Sequence, residues 1–110
     1  MPLRLPLLAW LIFLGAALLE VGGDAAIRHG LRGGRGLPIA TGCAMLAAYG
    51  LLVNVVRWDF ARLLGVYVAV FALVSVVFGR FLFQEPVPPS TWLGVATICL
   101  GGAIVQLGSR

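Results

Sequence analysis

A chain of 110 residues that is 61% hydrophobic and 11% charged has too little polar surface to clothe a water-soluble domain. Its net charge of +4 comes from eight arginines and no lysine. They are scattered near the ends of apolar runs, not gathered on the basic face that nucleic-acid binding requires. The composition predicts an all-α membrane protein forming a single domain over residues 1–110. It leaves no room for a soluble catalytic domain, so neither an enzyme activity nor a cofactor is expected.

The first apolar run spans about residues 6–27. Arg4 ahead of it and the small residues Gly15, Ala16 and Ala17 within it imitate a secretory signal. The run continues through Glu20 to Ile27, which predicts a retained spanning helix near the ~20 residues needed to cross a hydrocarbon core of ~30 Å. Glu20 is the most informative residue of the chain. An ionised carboxylate at that depth costs roughly 3 kcal/mol on insertion scales, so such residues face a cavity and carry function.

Asp24 and Arg28 follow at intervals of four, which puts three ionisable side chains on one helical face. This stripe predicts a cleft open at the Arg28 end, in which protons and a cationic substrate compete for Glu20. A purely structural alternative pairs Glu20 with Arg28 or Arg62, and Asp24 with Arg28. Gly22 and Gly23 beside Glu20 either let a neighbouring helix approach or make room for substrate.

Arg28 to Leu37 then reads as a glycine-rich, basic turn, and Pro38 opens a second helix over about residues 38–56. Tyr49 on that helix is a candidate aromatic wall for an organic cation. Arg57, Trp58, Asp59 and Phe60 make a short connection with an interfacial tryptophan. A third helix over about residues 63–83 carries Tyr67, Phe71 and Phe78, of which Tyr67 is the second polar-tipped candidate. Arg62 at its entrance is a candidate substrate contact. Residues 84–90, rich in proline, link rigidly to a fourth helix over about residues 91–107. There Gly94, Gly101 and Gly108 recur every seven residues, with Gly102 alongside, and predict a helix-packing seam at a dimer interface.

Cys43 and Cys99 lack any metal-binding or redox spacing, and no metal site is expected. Short connections make neighbouring helices antiparallel. One side of the membrane then holds Arg4, Arg57, Arg62 and Arg110, and the other holds Arg28, Arg32, Arg35 and Arg80. Because orientation follows the arginine and lysine excess, an even division predicts insertion both ways round and an antiparallel, dual-topology homodimer of compact four-helix bundles. The alternative is one orientation, fixed by the unequal weight of Arg4, the N-terminal amine and the clustered first loop.

Several segments carry a family likeness. Gly15 to Gly23 (GAALLEVGG) resembles the first-helix segment of the small multidrug resistance transporters around their membrane glutamate, and the Gly94, Cys99, Gly101 run resembles their fourth-helix dimerisation segment. Asp59-Phe60-Ala61-Arg62 with Tyr67, Val70, Phe71 and Ser75 is similar to the third helix of the YnfA-like branch. The chain differs in lacking the third-helix tryptophan of drug exporters, and reads Leu64-Gly65-Val66-Tyr67-Val68-Ala69 where that branch has a run of tyrosine, alanine and glycine.

The resemblance implies a multi-pass protein of the bacterial inner membrane, within the drug/metabolite transporter superfamily. It implies proton-coupled export of a cationic or amphipathic small molecule by alternating access around Glu20, with protons, membrane lipids and a second copy of the chain as partners. Two alternatives remain. One is a flippase or carrier for a lipid-linked or anionic metabolite, bound through Arg28 and Arg62. The other is a non-transporting membrane subunit.

Overall fold

The computed structural model describes residues 4–108, with side chains from residue 7. Arg110 of the arginine tally and the side chain of Arg4 lie outside the described part. Four helices follow in order: α1 Arg4–Gly33, α2 Gly36–Val53, α3 Phe60–Val77 and α4 Pro89–Gly108. A π-helical segment, Phe78–Leu82, continues α3. All four helices are long and apolar enough to cross a membrane. The chain divides into two units, residues up to Val56 and residues from Arg57.

In the first unit α1 runs well past the expected boundary. Arg28 to Gly33 is helical, so the basic segment expected to form a turn is instead the last turn and a half of α1. Arginine, histidine and leucine are acceptable helix formers, and the helix stops only where the backbone turns left-handed. Gly34 has φ +66°, and the Arg35 N–H donates to the Gly30 carbonyl at 2.9 Å. This is a glycine-terminated Schellman closure. α2 then starts at Gly36, two residues ahead of Pro38, which sits in the first turn where its missing N–H costs nothing. It ends at Val53, three residues short of the predicted limit, with the Asn54 side chain donating to the Gly50 carbonyl at 2.8 Å.

Glycines set the spacing of this hairpin. A Cβ on Gly23 would lie 2.9 Å from the Gly42 carbonyl oxygen, and one on Gly22 would lie 2.9 Å from the Met45 methyl. Of the two roles open to Gly22 and Gly23, the close approach of α2 is the one observed. Phe13, Ala16 and Ala17 are completely buried, whereas Leu7, Leu8, Leu11, Leu14 and Leu18 are exposed, as suits an outer surface solvated by lipid tails.

The second unit repeats the device with different residues. Gly102 of α4 is buried, and a Cβ there would stand 2.8 Å from the Ala69 Cβ of α3. A Cβ on Gly65 would meet the Val105 methyls at 3.4 Å, an ordinary contact distance. α3 begins at Phe60, three residues before the expected start, and its π segment ends in a tight reversal. The Phe83 N–H donates to the Phe78 carbonyl at 3.1 Å, and the Glu85 N–H reaches the Gly79 carbonyl at 2.9 Å. Between them Gln84 holds φ +54°. Pro86 prevents the helix from resuming, and Pro89 occupies the first position of α4, where proline is favoured.

Candidate functional site

Glu20 is half-buried on α1, while Asp24, Arg28 and Arg32 are exposed. Because α1 is unbroken to Gly33, the predicted stripe gains a fourth member, Arg32, with each residue about 40° around and 6 Å along from the last. Two acids toward the middle of the helix therefore give way to two arginines at its end. The charge order matches the axial field, since cations are favoured in the last turn of a helix.

Tyr49, half-buried on α2, lies close enough to Glu20 for the carboxylate to act on its phenol electrostatically. The hairpin thus brings together two of the predicted site residues. Met45 and Gly42, which sequence reasoning does not single out, form the adjoining wall against Gly22 and Gly23.

In the second unit Tyr67 is buried and stacks with Phe71, ring centroids 6.4 Å apart at 30°. Arg62 lies over the Trp58 ring, its guanidinium carbon 3.9 Å from the centroid. Its Nε and Nη2 both donate to Gln106 Oε1, at 3.2 and 3.1 Å. Arg62 therefore ties the start of α3 to the end of α4. Sequence reasoning misses Gln106, although an amide within an apolar helix is a visible signal. It places Trp58 in the interfacial belt alone.

The four glycines of the predicted seam part company. Gly102 packs inside the unit against α3, whereas a Cβ added at Gly94, Gly101 or Gly108 would meet nothing within 4 Å. Cys43 is an exposed free thiol and Cys99 a half-buried one.

The family model described as "Uncharacterised BCR, YnfA/UPF0060 family" matches residues 7–110. The chain belongs to the YnfA/UPF0060 family. As a YnfA/UPF0060 protein it is 35% identical over 103 residues to a UPF0060 membrane protein of Rhodococcus jostii, covering 90% of this chain and 93% of that one. It is 33% identical over 109 residues to a UPF0060 membrane protein of Gluconacetobacter diazotrophicus, covering 97% and 95%. It is also 32% identical over 116 residues to the probable 4-amino-4-deoxy-L-arabinose-phosphoundecaprenol flippase subunit ArnE of Pseudomonas savastanoi pv. phaseolicola, covering 94% and 99%. No solved structure matches the chain.

Proposed function

We propose that this YnfA/UPF0060 protein is a small inner-membrane transporter that moves an amphipathic, phosphate-bearing lipid-linked molecule across the bilayer. The observation that carries the reading is the charge order on α1: half-buried Glu20, then exposed Asp24, Arg28 and Arg32 on one continuous helix. Arginines at the helix end suit phosphate oxygens, which they meet by charge-assisted hydrogen bonds. The acids further in suit a proton or a headgroup amine. The likeness to a flippase subunit, over nearly the full length of both chains, favours this cargo over a free cationic drug.

The working unit in this reading is a homodimer, with the open face of α4 at Gly94, Gly101 and Gly108 as its seam. The even arginine division fits an antiparallel arrangement, whose two openings are equivalent and suit alternating access. The test is transbilayer movement of a short-chain fluorescent prenyl phosphate in proteoliposomes. Wild type should accelerate it, Arg28→Gln combined with Arg32→Gln should slow it, and an equal rate in protein-free vesicles would refute the proposal.

A second reading keeps the same glutamate with a different cargo: proton-coupled export of an organic cation, as in the small multidrug resistance transporters. It is favoured by the occurrence of Glu20 and Tyr49 on the two helices of one hairpin, since a carboxylate and an aromatic ring are the groups suited to an organic cation. Its mark is a substrate-evoked proton current with guanidinium, quaternary ammonium or aromatic cations. Silence toward all three would remove the cation reading and leave the lipid-linked cargo and the non-transporting subunit, which the prenyl phosphate assay separates.

A further inference from the structure

Arg62 is half-buried, and its two partners among the described residues, Gln106 and Trp58, carry no charge. Shielding a guanidinium from water without a counter-charge is costly. Neither described carboxylate of the second unit is paired with it: Glu85 lies over Gly79 at the far end of α3, and Asp59, which precedes α3, is exposed. Arg62 also sits in the first turn of α3, where the axial field opposes a cation. Gln106 and Trp58 hold the guanidinium in place without neutralising it.

The geometry also identifies the open edge. Gln106 takes the edge formed by Nε and Nη2, and Trp58 covers a face. The second fork, formed by the two Nη atoms, is the one that matches two oxygens of a phosphate. Trp58 and the exposed Arg57 stand just ahead of α3, and a tryptophan beside arginines is characteristic of headgroup depth. We infer that Arg62, steadied by Trp58 and Gln106, is a binding site for the phosphate of a lipid headgroup at the end of the second unit where α3 begins and α4 ends.

Two sources share this chemistry: an anionic phospholipid of the surrounding bilayer, and the phosphate of a lipid-linked cargo. The site stands without the transport reading, which only adds the second source.

Native mass spectrometry of the full chain released from detergent separates them, with phosphatidylglycerol, phosphatidylcholine and undecaprenyl phosphate offered in equal amounts. Wild type should retain phosphatidylglycerol, undecaprenyl phosphate or both over phosphatidylcholine. Arg62→Gln should lose about tenfold of that preference, the loss expected when one charge-assisted fork is removed. Retention of phosphatidylglycerol identifies a bilayer lipid, and retention of undecaprenyl phosphate alone identifies the cargo. Gln106→Leu removes the internal clamp but keeps the charge, so it should lower thermal stability and preserve the preference. The site is overturned if wild type shows no preference or Arg62→Gln leaves it intact. It is equally overturned if Gln106→Leu abolishes it, because Arg62 would then act only as a helix clamp. Transport failure with the preference intact would sink the cargo reading and leave the site standing.

Discussion

Gly23 and Gly42 face each other so closely that neither can carry a side chain: a Cβ on Gly42 would stand 2.5 Å from the Gly23 carbonyl oxygen and from the Ile27 Cγ1. The first obstacle is backbone, which cannot swing aside as a side-chain tip would. Gly42→Ala should therefore destabilise the α1–α2 hairpin by about 1–3 kcal/mol, the usual cost of overpacking, outweighing the ~1 kcal/mol that alanine gains in helix propensity. Thermal unfolding in detergent measures it, and an unchanged midpoint would mean that the helices part more readily than this contact implies.

Gly94 offers the opposite case. Nothing lies within 4 Å of a Cβ placed there, so Gly94→Leu should leave the fold of one chain unaffected. If the open face of α4 is the dimer seam, the same substitution weakens self-association, read by cross-linking or by single-molecule photobleaching in vesicles. A dimer of undiminished strength would move the seam elsewhere.

Glu20→Gln keeps the shape of the side chain and removes its charge. The variant should fold, since Glu20 is only half-buried and glutamine is cheaper to hold in lipid. Transport of either proposed cargo should fall by at least about a hundredfold if Glu20 is the exchange site, a loss of about 2.7 kcal/mol in transition-state terms. Full activity in the variant would remove Glu20 from the mechanism.

Gln84 holds a left-handed backbone, φ +54°, at the reversal that follows the π segment. A side chain there costs about 1–2 kcal/mol, partly returned by the greater freedom of glycine in the unfolded chain. Gln84→Gly should stabilise the second unit by about 0.5–1 kcal/mol, and Gln84→Val should destabilise it because a β-branched residue tolerates this region least. Equal melting temperatures for the two variants would argue that the reversal is not held in this conformation.

What the sequence discloses follows from the nature of each signal. Apolar length is a direct consequence of bilayer thickness, so the four spans are legible. The end of α1 is not, because the run RHGLRGGRG looks like a turn by composition, while backbone geometry breaks only at Gly34. Glu20 stands out through the cost of its charge, and its nearness to Tyr49 requires the hairpin register that Gly23 and Gly42 set. The pairing of Arg62 with Gln106 joins residues 44 positions apart, a relation that no local pattern encodes. The same holds for Gly102: its seven-residue neighbours suggest one seam, but a helix has several faces, and only packing shows that this glycine turns inward to Ala69.

The unequal lengths of α1 and α2 have a mechanical consequence. Thirty residues make a rod of about 45 Å, and eighteen one of about 27 Å, against a hydrocarbon slab of about 30 Å. The apolar part of α1 ends near Ile27, so the surplus of the long rod is its polar last turns, Arg28 to Gly33. With the apolar lengths of both rods matched to the slab, those turns stand beyond the hydrocarbon, at the depth of the phosphates. The long helix is thus an outrigger: it holds Arg28 and Arg32 ahead of the membrane core, where a headgroup arrives first.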